Sequence, residues 1–274
     1  MTDKEIRERM EKHWAKALEL YPEDRIVLLA VQGSQNYFME DEESDVDTKL
    51  LIIPSLEDIV LNKQPVSTTH ILDNDEHMDA KDIRLYWQTM RKGNINFVEL
   101  MFSRVQIVNP MYQDIWDKVL TLREDIAYMN PRVAMKAMMG MINEKYFALT
   151  HRYPSRVEII DKFGGYDPKQ LHHLVRVYYF LESYVTKNYT YQDLLVMENN
   201  PFEWILVARI KREGVADLET AQDIANKFKA KAEKLYHSYE DNGVFDGKDN
   251  PETLAAMNDV LTEFIKRSIK REVM

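Results

Sequence analysis

Residues 31–49 read Val-Gln-Gly-Ser-Gln-Asn-Tyr-Phe-Met-Glu-Asp-Glu-Glu-Ser-Asp-Val-Asp-Thr-Lys, and they constrain this chain more than any other stretch. Two apolar runs flank them, 26–31 and 50–53, each of strand length and continuous enough to be buried on both faces. Gly33 and Ser34 make a turn that leaves the first strand, and Asp45 and Asp47 open the second. Alternate residues of a strand share a face, so the two carboxylates aim one way while Val46 turns into the core. Two carboxylates on a rigid strand suit a divalent cation. The turn, with no side chain on Gly33, can offer backbone N–H groups and the Ser34 hydroxyl to phosphate oxygens. The competing explanation is an acidic loop running into a solvated strand start, since residues 40–47 carry six carboxylates.

Taken together, the Gly-Ser turn, the ten residues between Ser34 and Asp45, the Asp-Val-Asp triplet and the apolar strands on both sides resemble the signature of the DNA polymerase β-like nucleotidyltransferase superfamily. The resemblance implies an α/β (α+β) catalytic domain with a small mixed sheet. Asp45 and Asp47 would hold two Mg²⁺ ions (or Mn²⁺), Gly33 and Ser34 would bind the departing phosphates, and a third carboxylate would come from a later strand. The candidates are Glu76, Asp79 and Asp82. Residues 68–72 and 76–80 read as two strands around the Asp73-Asn74-Asp75 turn. Asp82 precedes Ile83, Leu85, Tyr86 and Met90, a helical pattern that it would cap. Asp79, at the end of its strand, is the choice for a third metal ligand and catalytic group.

With 274 residues and 45% hydrophobic content the chain can bury a real core as one large domain or two modest ones. A formal charge of −10 argues against a general nucleic-acid binder, although a small nucleotide or a locally basic cleft is compatible with it. There is no cysteine, hence no disulfide, thiolate metal site or Cys nucleophile. No apolar run approaches membrane-spanning length, and the expected location is cytoplasmic.

Residues 3–20 form an amphipathic helix with Ile6, Met10, Trp14, Ala17 and Leu18 at helical spacing, stopped by Tyr21-Pro22. Ser55 caps a short helix at 55–61. Lys92-Gly93-Asn94 ends the helix begun after Asp82, and Asn94 caps the next segment, which carries Glu99. A last strand occupies 106–110. Beyond it the period changes from two to 3.6, with helices over 111–122, 131–149, 168–187, 218–239 and 251–273. The expected division is a nucleotidyltransferase catalytic domain, 1–109, and a helical domain, 110–274, with the cleft between them.

In the helical half, Phe163-Gly164-Gly165-Tyr166-Asp167-Pro168 makes a clear helix start. Lys169, His173 and Arg176 share one face of that helix, and Phe180 lies one turn further along it, an odd residue to leave in water. The bland reading is a solvated basic face; the alternative is positive charge for a triphosphate, with Arg176 able to bind it bidentately. The segment Gly-Tyr-Asp-Pro-Lys with the following His173 and Arg176 is similar to a motif of a predicted nucleotidyltransferase family found near RNA-repair genes and in phages, as is the Lys92-Gly93-Asn94 segment with Glu99. That resemblance assigns Lys169, His173 and Arg176 to nucleotide binding. Members of the family usually have Gly where this chain has Phe38, which leaves the path of the phosphate-binding loop open.

The function so implied is Mg²⁺-dependent transfer of a nucleoside monophosphate from a nucleoside triphosphate such as ATP to an acceptor hydroxyl, with release of pyrophosphate. An RNA end is suggested by the family's association with RNA repair, while a protein or small-molecule hydroxyl is compatible with the acidic surface. Two other classes stay open: a non-catalytic nucleotide-binding module on the same fold, and an interaction protein of the toxin–antitoxin kind.

Overall fold

The structure is a computed structural model that describes residues 1–40, 44–186, 189–197, 201–245 and 247–273. Along the chain the elements run α1 (Asp3–Leu20), β1 (Ile26–Val31), β2 (Thr48–Ile52), α2 (Leu56–Val60), β3 (Ser67–Ile71), β4 (His77–Asp82), α3 (Ile83–Arg91), α4 (Ile95–Val98), β5 (Gln106–Val108), α5 (Gln113–Ala127), α6 (Pro131–Ala148), α7 (Val157–Lys162), α8 (Pro168–Thr186), α9 (Tyr191–Val196), α10 (Pro201–Glu213), α11 (Leu218–Asp241) and α12 (Pro251–Val273). The fold is a small mixed sheet followed by helices. No helix among the described residues is long and apolar enough to cross a membrane.

Residues 1–130 and 249–274 form one compact unit, and 131–248 form another. The division therefore lies elsewhere than at 109/110. Helix α5 stays with the strands, and α12 returns to them by packing on α5. Its apolar face is the reason: Met257, Val260 and Phe264 are buried, Phe264 lies 5.8 Å from the Tyr112 ring, and Lys118 pairs with Glu263 at 2.7 Å. A helical period reveals that a helix has an apolar face but not which partner covers it.

In the first unit the sheet order is β3-β4-β2-β1-β5. β1 pairs antiparallel with β2 and β5, β3 pairs antiparallel with β4, and β2 and β4 are parallel, with Lys49 opposite Asp79. Helix α1 begins at a Thr2–Glu5 capping box, which satisfies two of the orphan amides of its first turn. It lies on one face of the sheet, where Ile6, Met10 and Ala17 meet Leu29, Val31, Val46, Leu50, Met78 and Ala80 in a single core cluster. The stripe is turned from the expected one: His13 is buried in it, while Leu18 is exposed. Every residue of β1 and β2 is buried, as a run of continuous apolar character requires of interior strands. Because Leu50, Met78 and Ala80 face α1, their alternates Lys49, His77, Asp79 and Lys81 belong to the opposite face, while Asp45 and Asp47 precede β2, which begins at Thr48 rather than with them.

The second unit is organised on α8, which packs against α6, α9, α10 and α11. Its start is built as expected: Pro168 opens the helix and the Asp167 carboxylate accepts from the Lys169 amide at 2.9 Å. Asp167 is itself buried and held by Arg156 through two bonds of 2.8 Å. Burial would raise the Asp167 carboxyl, but Arg156 and the Lys169 amide hold it below its ordinary value. The expected end of this helix, Lys187, lies outside the described residues. Helices α7, α9 and α10 were not foreseen from the periodicity. In α10 the reason is visible, because Phe202, Ile205 and Leu206 are exposed while Val207, Ala208 and Ile210 are buried, so its apolar residues surround the helix rather than line one side.

Candidate functional site

The end of β1 turns sharply at Gly33, whose φ of +82° an L side chain rarely adopts. A short 3₁₀ turn follows over Gly33–Tyr37, closed by Phe38 and Met39 amides donating to the Ser34 carbonyl. The turn is fastened from inside. Asn36 Nδ2 donates to the Val31 carbonyl at 3.1 Å, its Oδ1 accepts from the Arg104 amide at 3.1 Å, and Tyr37 Oη donates to Glu99 at 2.7 Å. Phe38 then takes the left-handed conformation, φ 56° and ψ 35°. The position where the family resemblance calls for Gly thus keeps a glycine-like backbone, and the Phe side chain is turned outward, half exposed, with the Arg104 guanidinium 4.4 Å from its ring centre. Asp41, Glu42 and Glu43 of the acidic run lie outside the described residues.

The turn is tied directly to the Asp-Val-Asp segment. Gln35 Nε2 donates to the Asp45 carbonyl, and the Gln32 amide donates to the Asp47 carbonyl at 3.0 Å, so the pairing of β1 and β2 continues past the strand ends. Val46 is fully buried between an exposed Asp45 and a half-buried Asp47. Gln32 and Gln35, on either side of Gly33 and Ser34, thus tie the turn to the backbone of Asp45 and Asp47. Asp47 Oδ1 accepts from the His77 amide at 3.0 Å, with His77 Nδ1 3.4 Å from the same oxygen.

Asp79 sits in β4 on the same face as Asp47, but its carboxylate is already engaged. It accepts from Thr69 Oγ1 at 3.1 Å, lies 2.9 Å from Lys81 Nζ and 3.6 Å from Lys49 Nζ. Lys49 is buried, and its ammonium lies 4.4 Å from the Phe97 ring centre. Burial lowers the Lys49 ammonium from its ordinary value, against the opposing charges of Asp79 and Glu99. Asp82 caps α3 as expected, accepting from the Arg84 amide at 2.8 Å and pairing with its guanidinium at 2.7 Å.

Glu76, the remaining candidate, is fully buried on the other side of the strand, beneath Val46. Its Oε1 accepts from the Val46 amide at 2.9 Å and pairs with Arg9; its Oε2 accepts from His13 Nε2 at 2.9 Å, and His13 Nδ1 bonds Thr48 Oγ1 at 2.8 Å. Burial would raise this carboxyl, but His13, Asn74, the Val46 amide and Arg9 hold it below its ordinary value. Sequence reasoning missed Arg9, His13 and Lys49 altogether. The signal for His13 was its place on the buried stripe of α1, and for Lys49 its alternation with Asp45 and Asp47.

Among the described residues no group of three or more His, Asp or Glu side chains could hold a metal ion. Mg²⁺ in nucleotide sites commonly rests on one or two carboxylates, with substrate phosphates and waters completing its shell. Asp45 and Asp47, outward from one strand end with the Gly33–Ser34 turn fastened beside them, fit that two-carboxylate form. Asp79, the expected third ligand, is paired with Lys81 at 2.9 Å and Lys49 at 3.6 Å.

On α8 the basic set is divided. Lys169 is exposed, His173 is partly buried and Arg176 is inside the second unit. Burial pushes His173 well below its ordinary value, with His172 and Arg176 adding to the effect, so it carries no positive charge at neutral pH. Phe180, whose placement suggested a covering ligand, is covered by the protein: its ring centre lies 5.1 Å from that of Tyr191 in α9.

No family model matches the chain, and no curated protein matches it. A solved structure of a nucleotidyltransferase-like protein from Exiguobacterium sibiricum 255-15 is similar over 94% of this chain and 89% of that one, at 12% identity and a TM-score of 0.33.

Proposed function

We propose that this chain is a nucleotidyltransferase that moves a nucleoside monophosphate from a nucleoside triphosphate to an acceptor hydroxyl and releases pyrophosphate. The observation that carries the reading is the joining of the two halves of the motif. The Gly33–Ser34 turn is hydrogen-bonded to the backbone of both aspartates, through Gln35 to Asp45 and through Gln32 to Asp47.

In this reading Asp45 and Asp47 hold Mg²⁺ with the phosphates of the nucleotide. Mg²⁺ when bound would neutralise charge on the transferring phosphoryl group and lower the barrier to in-line attack. The chain's own groups supply position. The rigid turn presents the Ser34 hydroxyl and its amides to the departing phosphates, and the His77 amide fixes the orientation of the Asp47 carboxylate. Lys169, exposed at the start of α8, is the member of the basic set open to a phosphate, and Arg176 and His173 act from within as its support. Asp79 orients Lys49 and Lys81 at the edge of the acidic face instead of binding metal. An RNA end is the acceptor we put first, after the family resemblance.

The lysines on Asp79 also favour a second reading, a nucleotide-binding module without turnover. Incubation with each labelled nucleoside triphosphate, Mg²⁺ and a mixture of RNA, protein and small-molecule acceptors separates the two. Label in an acceptor pool with pyrophosphate release, both lost by at least a hundredfold in Asp45→Asn, supports transfer. Mg²⁺-dependent ATP binding with no label transferred to any pool supports the binding module.

A further inference from the structure

The geometry assigns to Glu76 a task distinct from metal binding: it is a positioning residue that holds the Asp45–Val46–Asp47 segment in place from beneath, an inference that rests on the nucleotidyltransferase reading of that segment. Three observations carry it. Glu76 is fully buried, and one of its oxygens accepts the Val46 amide, the peptide link between the two site aspartates, at 2.9 Å. The next residue, His77, donates its own amide to the Asp47 carboxylate at 3.0 Å, so residues 76 and 77 grip the segment at once by its backbone and by a side chain. Finally, the carboxylate is itself held from α1 by Arg9 and His13, and His13 continues to Thr48, the first residue of β2.

A buried carboxylate is costly unless every lone pair is used, and here three donors converge on it. Such an arrangement is more than a strand needs, because the backbone pairing of β1 with β2 already extends to Asp47. What the pairing leaves undefined is the Val46 amide, which points away from β1 toward β4; Glu76 fixes it. An amide side chain of the same shape loses the charge that faces Arg9, and its NH₂ fits only if His13 changes tautomer so that Nε2 accepts. Partners that orient metal ligands without touching the metal commonly change metal affinity or activity by about 10–100-fold when removed.

The test is Mn²⁺ binding, followed by electron paramagnetic resonance, to the full chain, with nucleotidyl transfer measured in parallel and thermal melting as the check of folding. Glu76→Gln is expected to weaken Mn²⁺ affinity about tenfold or more and to lower kcat while leaving KM for the nucleotide nearly unchanged. Arg9→Met, which keeps the stem of a partly exposed side chain, is expected to act in the same sense but less. If Glu76→Gln does not fold, Arg9→Met decides alone. Folded variants with wild-type Mn²⁺ affinity overturn the role of Glu76, provided that Asp45→Asn loses the ion. Failure of the wild-type chain to bind Mn²⁺ at all is a different result: it overturns the reading of the site, and the positioning role with it.

Discussion

The two units bury polar groups in opposite ways. In the strand-bearing unit Glu76 pairs with Arg9 and is hydrogen-bonded to His13, from a segment 63 or more residues away, and what it holds is a backbone amide. In the helical unit His172 is equally buried but is kept neutral, pressed to about 3 by burial, with the charges of Arg176, Lys211 and Lys169 adding to the effect, and its Nδ1–H donates to the Val207 carbonyl of α10 at 3.0 Å. A paired carboxylate fixes the direction of a chain segment, at the cost of its own desolvation; a neutral ring fills space between helices and only locks one carbonyl. The first arrangement orients a chain segment and the second packs a core, and the proposed site lies with the first.

Breaking the first arrangement is expected to have the largest effect. Glu76→Leu leaves the buried His13 and the partly exposed Arg9 without their partner and should cost the strand-bearing unit roughly 3 kcal/mol, seen as an early transition for its residues in urea unfolding followed residue by residue by nuclear magnetic resonance. The midpoints of α8 and α11 should not move; if they do, the units are not energetically separate.

Acid should act next, and on the other unit. The folded state disfavours His172 protonation, so as pH falls below about 6.5 the unfolded chain takes up the proton first; the contribution is intact above that value and is lost progressively down to about 3. Between pH 6.5 and 5 the helical unit should lose about 2 kcal/mol through this group. In His172→Asn, which keeps a donor for Val207, that acid slope should flatten by about one proton; an unchanged slope would assign the acid sensitivity to another group.

The smallest effect has the opposite sign. Phe38 holds a conformation that costs an L residue about 1–2 kcal/mol, and its exposed ring recovers part of this on Arg104. Phe38→Gly should therefore raise stability by about 0.5–1 kcal/mol, read from the urea midpoint. A loss would mean that the ring contact outweighs the backbone term.

Much of this fold is legible in the sequence because it is written locally. The cap at Ser55, the cap at Asp82, the turn at Asp73–Asp75 and the strand on either side of the Gly-Ser turn all follow from residue type and spacing, and each is found. What sequence cannot supply is register between strands: Asp79 faces Lys49 only because β2 and β4 align in parallel, and no period encodes that pairing. His13 and Glu76 escape for the same reason, as each is an unexceptional residue until the other is placed beside it. On α8, the spacing of Lys169, His173 and Arg176 is helical as read, yet a shared face says nothing of whether that face meets water.

The return of α12 also sets an order of events. Residues 131–248 interrupt the strand-bearing unit, and the two chain crossings are stitched together where Asn130 Nδ2 donates to Asp249 at 2.7 Å and the Asn250 amide to the Met129 carbonyl at 3.0 Å. During synthesis the strands emerge first but wait for α12, so the interrupting helices can complete themselves before the unit that precedes them does. The strand-bearing body therefore cannot be complete until its last helix has been made.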